Sequence, residues 1–316
     1  MNNLIRLIGR RLVALPLMVL GVTLLVFFIM SLSPIDPAYV ALGENATPEM
    51  LEQFRLDNGL NDPFFVQYGN YIINMLQGDL GTYGVGSGNK VSDKVFAALP
   101  ITLGLTFFGL FIAVIFSFPL GVVAALYRDK WPDQVIRVLS VASIATPSFW
   151  LAMLLVLAFM GILPVSGALP EFTSDPGGWF ARMLLPAFAL AVPVIGQMTR
   201  IVRTSMVEEL DRDYVRTALG AGIPKNIVVS RNVLRNALIT PVTVLGLRVG
   251  YLMGGAVVIE IIFGIRGMGQ VLLEGITNNW VFVVQGATLV VAMAFIVVNI
   301  IVDLLYVLIN PRIRAV

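Results

Sequence analysis

The sequence predicts an all-α protein that crosses a membrane several times, and three observations lead to this prediction. Hydrophobic residues make up 58% of the 316 residues and charged residues 13%, whereas globular domains average about 45–50% and about 25%. Six stretches are apolar over the roughly 20 residues that a spanning helix needs. Cys and His are both absent, which excludes disulfides, Cys or His metal sites and Ser-His-Asp triads.

The apolar stretches define six predicted spans. Their bounds are Leu12–Leu32, Ala98–Leu126, Val135–Leu163, Met183–Met198, Leu238–Phe263 and Val281–Leu308, and the fourth is the shortest. Three arginines precede the first span, as in a signal peptide. Its apolar run is longer than the ~7–15 residues of a signal peptide core, so we expect it to be retained as a membrane anchor.

Basic residues are distributed unequally between the two sides of this predicted topology. With the N-terminus inside, 15 of the 21 Lys and Arg residues fall in the inner segments and five in the outer ones. Arg248 lies within the fifth span. Because the inner segments of membrane proteins carry the excess of positive charge, both termini are predicted to be cytoplasmic.

The connections divide the chain into three predicted regions. These are the N-terminus with the first span (1–32), an external helical segment (33–97) and a five-helix core (98–316). In the external segment, Thr47–Gly59 reads as a short helix with Thr47 as N-cap and Pro48 in the first turn. A second, amphipathic helix is predicted over Gln67–Gly78, and a glycine-rich run follows it to Gly88.

The long inner connection, residues 199–237, reads as a helical hairpin. A helix is predicted over Met206–Leu219, a break at residues 220–224, and a second helix over Lys225–Ala237. One interpretation is a basic loop that lies on anionic lipid headgroups. DNA binding by a helix-turn-helix is excluded because the segment is tethered between two spans.

The same loop resembles that of a known family. Its pattern is D-Y-V-R-T-A-x-x-x-G followed by L-R-N-A-x-x-x-P, at Asp213–Ala218, Gly222, Leu234–Ala237 and Pro241. This pattern is similar to the cytoplasmic loop of the inner-membrane permease subunits of ABC importers, in their peptide/nickel group. Further stretches that resemble the group are QGDLG (Gln77–Gly81), TPSFW (Thr146–Trp150) and GGAVVIEIIF (Gly254–Phe263). Arg266 and Asn310 depart from it, where proline and aspartate are usual.

The resemblance implies the type I ABC importer permease fold, with six transmembrane helices, an external helical cap and a cytoplasmic coupling-helix hairpin. In that family the hairpin docks on an ATPase subunit. The residues at the matching positions here are Asp213, Tyr214, Val215, Arg216, Thr217, Ala218 and Gly222. Gly222 would supply the tight turn that leaves the coupling helix. The chain has no G-x-x-x-x-G-K-[ST] motif to bind ATP phosphates, so it is implied to be a non-catalytic subunit without a cofactor of its own.

The resemblance also implies the partners of the chain. These are a second homologous permease subunit, two cytoplasmic ATPase subunits that bind ATP and Mg, an extracytoplasmic substrate-binding protein and the lipids of the bacterial inner membrane, with no nucleic acid. The implied substrate is a di- or oligopeptide, and a nickel or metal-chelate importer of the same group is the alternative. A stand-alone secondary transporter also fits the composition, but it does not explain the coupling-type hairpin.

The fifth span carries a stripe of small residues. Gly246, Gly250 and Gly254 recur at every fourth position, a spacing that permits close helix approach. The stripe serves either packing within the chain or the seam with a second permease. In the third span, Pro147 of the TPSFW stretch is a candidate break of the kind that marks transporter binding sites.

Two charged residues of the fifth span are candidates for the translocation path, because charges inside a span are costly to insert. We expect Glu260 to lie near the outer interface. Arg248 lies deeper, and three roles stay open for it. The first is to bind a substrate carboxylate, and the second is to neutralise an acid of the partner permease. The third is that of a structural arginine whose side chain reaches the membrane interface.

The glycine-rich external run is the candidate contact with the binding protein. Its candidate residues are Asp79, Tyr83, Gly84 and Gly86. The surrounding segment holds eight acids against three bases, and a flexible run of this kind can reach into a binding cleft. The alternative is a solvated spacer between two amphipathic helices.

Overall fold

The computed structural model describes residues 2–43, 46–85 and 88–309, with side chains from Pro16 to Val302 within these ranges. Nearly all of the described regular structure is helical, which confirms the predicted all-α class. The described residues also include one short antiparallel hairpin, which pairs Thr82 with Lys90 and Tyr83 with Asn89. The sequence did not predict this hairpin.

The helices and strands follow one another along the chain with short connections. In order they are α1 (Asn2–Ser31), α2 (Pro37–Leu42), α3 (Pro48–Asp57), α4 (Phe64–Leu76), β1 (Thr82–Tyr83), β2 (Asn89–Lys90), α5 (Val91–Leu126), α6 (Trp131–Ala145), α7 (Ser148–Phe159), α8 (Pro176–Leu210), α9 (Asp213–Gly220), α10 (Lys225–Ile227), a π-helix (Val228–Val233), α11 (Leu234–Ala237), α12 (Ile239–Phe263), α13 (Met268–Thr277) and α14 (Val281–Ile309). The amphipathic helix α13 was not predicted from the sequence.

The chain forms two compact units, and each is described by itself. The cap unit consists mainly of residues 6–102 and 266–297. The core unit consists mainly of residues 103–265 and the end of α14 from residue 298.

In the cap unit, local sequence signals place two of the short helices. Thr47 caps α3 as predicted, since its Oγ1 accepts a hydrogen bond of 3.3 Å from the Met50 N–H. The predicted second helix is present, but α4 begins at Phe64 rather than Gln67 and ends before Gly78. Pro63 directly before it explains the early start, because proline is favoured at helix N-termini.

The helix that follows the external segment begins before the predicted second span. α5 begins at Val91 rather than near Ala98, because the β1–β2 hairpin leads directly into it. The Val91 N–H donates to the Gly81 carbonyl at 3.0 Å, which joins the two ends of the hairpin at the start of the helix. The boundary of the external region at residue 97 stays a prediction.

Four helices are each long and apolar enough to cross a bilayer, namely α5, α8, α12 and α14. Together, α6 and α7 pass the same test as a bent pair. In α1, the described apolar part Pro16–Ser31 is shorter than these spans. The described helices thus account for four or five of the predicted spans, and the count of six stays a prediction.

The third predicted span is wrong as a continuous helix. α6 ends at Ala145, α7 begins at Ser148, and the two helices are bent by 99°. Pro147 explains the break, since proline has no N–H to donate and disfavours helical dihedrals in the preceding residue. Accordingly Thr146 is extended, with ψ 116°.

The helix at the fourth predicted span is longer than that span. α8 runs over 35 residues, from Pro176 to Leu210, whereas the prediction covered Met183–Met198. The apolar run ends at Arg200, which is exposed, and the helix continues past it. In this extension the Arg203 guanidinium pairs with Asp133 of α6 at 2.6 Å. The start of the inner connection at residue 199 stays a prediction.

The predicted helix over Met206–Leu219 is also wrong. The chain leaves α8 after Leu210, and Arg212 is extended with ψ 146° before α9 begins. The second predicted helix, Lys225–Ala237, is helical throughout. Its middle part is a π-helix rather than an α-helix.

In the core unit, α8 is the helix against which α6, α7 and α12 pack. Sixteen of its residues are buried, so nearly half of the helix faces other helices. Two glycines lie at its crossings. A Cβ on Gly196 would lie 2.5 Å from the carbonyl oxygen of Ser140 in α6, and a Cβ on Gly121 of α5 would lie 2.5 Å from Cβ of Val202. Small residues at such crossings let the backbones approach closely.

We predict that Gly196→Ala destabilises the protein by about 1–3 kcal/mol, the range of an overpacked core, because the added methyl group meets backbone that cannot rotate away. Thermal unfolding of the purified chain in detergent measures the effect. Gly69→Ala is the matched control, since the helical Gly69 has nothing within 4 Å of a Cβ. Equal unfolding midpoints for the two variants would contradict the packing described here.

Candidate functional site

The helix that follows α8 is short and is ended by a glycine turn. Gly222 has φ +80°, and its N–H donates to the Leu219 carbonyl at 3.0 Å. The Ile223 N–H donates to the Ala218 carbonyl at 3.2 Å. These two bonds form a Schellman motif, which satisfies the carbonyls at the end of a helix. The predicted turn at Gly222 is present.

α9 buries one side chain and exposes most of the others. Val215 is buried in an apolar cluster that also contains Ala125, Val202, Met206, Val228, Val233 and Ala237. Ala218 packs against the same cluster. The exposed side chains are those of Asp213, Tyr214, Arg216, Thr217 and Leu219. The helix is therefore anchored along one side and presents a mainly polar surface on the other.

Two of these exposed residues differ in how firmly they are held. The Tyr214 hydroxyl donates to Glu209 Oε2 at 2.8 Å, and Asn236 donates to the same hydroxyl at 3.5 Å. Partial burial raises the pKa of Tyr214, so it stays protonated at neutral pH. Arg216 lies 3.9 Å from Asp213, with both side chains exposed. Such a surface pair contributes little, so the Arg216 charge remains available to a partner.

The second half of the hairpin returns to the core unit through a π-helix. In this helix the Leu234 N–H donates to the Val229 carbonyl, five residues earlier. Five residues of an α-helix turn through about 500°, which would place Val233 well away from Val228. The wider π turn brings both into the buried cluster with Ala237. This explains why the π-helix occurs here.

A buried ion pair joins the start of α6 to α8. Asp133 is fully buried, and Arg203 donates to its two oxygens at 2.6 and 2.7 Å. The Asp129 N–H donates to Asp133 at 2.9 Å, and Arg137 lies 3.6 Å away. Two parallel charge-assisted bonds fix both the distance and the orientation of the partners. No sequence motif indicates this pair, because its members are 70 residues apart.

A second buried arginine lies near the opposite end of α8. Arg182 is 2% exposed, and its guanidinium donates to the backbone carbonyls of Pro164, Gly167 and Phe263. It therefore connects the α7–α8 loop to the C-terminal end of α12, where the helix dipole also favours a positive charge. From the sequence this arginine was assigned to an outer connection, and that location does not indicate burial.

The glycine stripe of α12 has two different environments. A Cβ on Gly246 would overlap the side chain of Val302 in α14, whereas one on Gly254 would meet nothing within 4 Å. Gly250 between them is half-buried. The first part of the stripe therefore packs within the chain, and its last part is open.

The two charged candidates of α12 are both removed from solvent to some degree. Glu260 is fully buried, one turn before the helix ends at Phe263. Glu260, which we expected near the outer membrane interface, is thus covered by other protein atoms. Arg248 is half-buried, and its Nε is buried without a hydrogen-bond partner among the described residues.

The external candidates lie in the cap unit around the β1–β2 hairpin. Asp79 Oδ1 accepts a hydrogen bond of 2.8 Å from the Gly81 N–H. The Tyr83 ring packs against Trp280 at a centroid distance of 4.9 Å. Lys94 lies over both rings and pairs with Glu274 at 2.5 Å. Tyr83 is therefore held by its neighbours rather than projecting freely.

Of the two glycine candidates in the run, Gly84 lies within the described residues. Gly84 has φ +85°, which a residue with a side chain rarely adopts, and it follows β1 directly. Gly86 lies outside the described residues.

Comparison with protein families identifies the class of the chain. Residues 117–315 match the model described as binding-protein-dependent transport system inner membrane component. Residues 4–106 match the N-terminal model of the same transport-system membrane components. The chain belongs to this family and is a non-catalytic, multi-pass membrane permease subunit of an ABC transporter.

Individual relatives match over nearly their whole length. A Brucella abortus (strain 2308) protein, whose name refers to a peptide transport system permease, is 38% identical, and the match covers 95% of this chain and 96% of the relative. The glutathione transport system permease protein GsiC of Salmonella choleraesuis (strain SC-B67) is 37% identical, over 96% of this chain and 97% of the relative. The probable D,D-dipeptide transport system permease protein DdpB of Escherichia coli (strain K12) is 35% identical, over 95% of this chain and 94% of the relative.

We predict that Asp133→Asn destabilises the chain by about 3–5 kcal/mol, the range for removing one partner of a buried ion pair, because Arg203 keeps its charge without a counter-charge. Thermal unfolding in detergent measures this loss. Asp129→Asn is the control, since Asp129 is exposed and has φ +61°, a conformation that asparagine tolerates. An Asp133→Asn variant as stable as this control would show that the pair is dispensable.

Proposed function

We propose that the chain is the permease subunit of an importer for di- and oligopeptides in a bacterial inner membrane. It forms the translocation path with a second homologous permease. Two cytoplasmic ATPases drive the transport, and an extracytoplasmic binding protein delivers the peptide. The observation that carries the coupling part of this proposal is the exposed, doubly anchored helix α9.

The geometry of α9 suits a mechanical connection. Val215 anchors its buried side, and the Gly222 turn fixes its end, so a push on the exposed side moves the helix as a rigid body. Its exposed residues Asp213, Tyr214, Arg216 and Thr217 are then the ATPase contacts. Arg216 is the residue best suited to bind an acid of the ATPase, because its ion pair with Asp213 is long, at 3.9 Å, and exposed to solvent.

The topology follows from this role. α9 must lie in the cytoplasm to meet an ATPase, and the 15 Lys and Arg residues of the predicted inner segments support the same side. Both termini are then cytoplasmic, and the cap unit carries the external segment. The open end of the glycine stripe at Gly254 is our candidate for the seam with the second permease.

The substrate class rests on the relatives, whose names refer to peptide, D,D-dipeptide and glutathione transport. The roles of the path candidates follow from it. The Nε of Arg248, which has no hydrogen-bond partner among the described residues, suits the carboxylate of a peptide. The break at Pro147 is our second candidate for the translocation path. Glu260, being buried, is assigned to positioning rather than to direct contact.

Uptake in proteoliposomes tests coupling. The wild-type complex with its binding protein is expected to accumulate labelled tripeptide when ATP is supplied, and not with an ion gradient alone. Gly222→Pro removes the N–H that closes the turn and cannot adopt φ +80°. We predict that this variant and Arg216→Glu still hydrolyse ATP but lose roughly tenfold in uptake per ATP, about 1.4 kcal/mol of coupling.

Two controls separate coupling from folding. Gly220→Ala lies at a glycine with open space and no positive φ, and Arg231→Glu reverses an exposed charge outside α9. Both are expected to transport normally. Normal uptake by Gly222→Pro and Arg216→Glu would end the coupling proposal, and accumulation of a nickel chelate instead of peptide would favour the metal-chelate alternative.

We further propose that the glycine-rich run with Asp79, Tyr83, Gly84 and Gly86 contacts the loaded binding protein. Replacing Thr82–Gly88 by a short Gly-Ser turn is predicted to leave the complex assembled and to weaken the stimulation of ATPase activity by the loaded binding protein. Tyr39→Phe, at an exposed tyrosine outside the run, serves as the control. If stimulation and uptake both survive the replacement, the run is only a spacer.

A further inference from the structure

A polar cleft of about 960 Å³ lies within the cap unit. Its walls come from the end of α1 with the segment that follows, the end of α3, α4, residues 79–82 and the first turn of α14. Its volume is at the upper end of the roughly 300–1,000 Å³ typical of small-molecule sites. None of its lining residues belongs to α9 or α12.

The charges that line this cleft are predominantly negative. Among its described lining residues, Arg55 is the only base, and the acids are Asp36, Asp57, Asp62 and Asp79. Arg55 is already held by Asp36 at 2.5 Å and by Glu52 at 3.0 Å. Within the described part of the chain, neither Asp62 nor Asp79 has a basic partner. The cleft therefore favours a positively charged ligand.

Two polar groups in the cleft make no hydrogen bond to the residues that the structure describes. Gln285 is only 4% exposed, and its Oε1 makes no hydrogen bond among the described residues. An acceptor left unpaired inside a protein is destabilising by about 1–3 kcal/mol, so its presence calls for a donor. The Tyr71 hydroxyl likewise makes no hydrogen bond within the described chain, and burial raises the pKa of Tyr71 to about 12. It is therefore a permanent donor at neutral pH.

These groups match the chemistry of one class of ligand. We propose that the cleft binds a short peptide with a free amino terminus, outside the membrane and before translocation. The ammonium group lies against the carboxylates of Asp62 and Asp79, a backbone N–H reaches Gln285 Oε1, and the Tyr71 hydroxyl donates to a peptide carbonyl.

A metal ion fits the cleft less well than a peptide does. Among the described residues, no three acids are grouped so that they can hold a metal ion. The wall also carries the aromatic side chains of Phe27 and Phe282, which suit the side chains of a peptide. The inference rests on the proposed peptide import and adds a specific site to it.

Binding of trialanine and of N-acetyl-trialanine to the complex in nanodiscs, without binding protein or nucleotide, tests the site. Calorimetry measures both affinities. We expect saturable binding of trialanine, and a roughly two- to fivefold weaker affinity of the acetylated peptide, the range of a solvent-screened ion pair. No saturable binding, or equal affinities of the two peptides, would overturn the proposal. This comparison uses the wild-type chain and does not depend on the folding of a variant.

Variants then locate the site. Asp79→Asn and Tyr71→Phe are expected to weaken trialanine binding roughly two- to tenfold, as for single hydrogen bonds or ion pairs. Glu49→Gln and Tyr39→Phe are the matched controls, since both residues are exposed and neither lines the cleft. Unchanged binding in the first two variants would place any observed binding elsewhere and reject this site.

ATP-driven uptake and the affinity of the binding protein, both measured on the same preparations, separate the possible failures. If the wild type imports tripeptide but trialanine does not bind in the cleft, this inference fails and the proposed function stands. If the wild type imports no peptide at all, the proposed function fails. If Asp79→Asn weakens the affinity of the binding protein while trialanine binding is unchanged, the cleft receives a basic segment of that protein, and the peptide assignment is wrong.

Discussion

The close approach of α8 to its neighbours is the constraint on which the core unit depends. Inside a bilayer, lipid is as apolar as leucine, so helices associate through tight contact rather than by escaping from water. Gly196 and Gly121 meet this requirement, because a methyl group at either position would meet backbone or Cβ atoms of the facing helix at 2.5 Å. The buried side of α8 can be continuous only because these crossings are narrow.

The same helix also carries two arginines that bind groups outside it. Arg203, near its C-terminal end, fixes α6 through Asp133, and Arg182, near its N-terminal end, fixes the α7–α8 loop and the end of α12. With a rise of 1.5 Å per residue, α8 is about 52 Å long. α9 follows it after a two-residue connection. A displacement of α9 therefore reaches the elements at both ends of α8 through one continuous helix.

The sequence was informative where the signal is local. Apolar composition predicted the class, Thr47 predicted a helix start, and Gly222 predicted a turn that the structure contains. Prediction failed where distant residues decide the outcome. The predicted fourth span ended at Met198, whereas the helix continues to Leu210, and the partner of Arg203 in this extension is Asp133, 70 positions earlier. The packing of Tyr83 on Trp280, far along the chain, was likewise not predicted.

The candidate site shows the same division between local and distant signals. The pattern from Asp213 to Gly222 located the exposed helix and its turn, because both depend on adjacent residues. The polar cleft of the cap unit was not predicted, since Gln285 approaches Tyr71 and Asp79 only through the fold. The π-helix was missed as well. Its sequence pattern differs from that of an α-helix only by the five-residue spacing of Val228 and Val233.

Arg182 binds neutral groups, whereas several other basic residues of the described chain form ion pairs with carboxylates. Its partners are backbone carbonyls, which do not take up protons, and an arginine keeps its charge at every pH that a cell meets. The pair between Lys94 and Glu274 in the cap unit needs an ionised carboxylate instead. The attachment of α12 to the α7–α8 loop therefore involves no carboxylate.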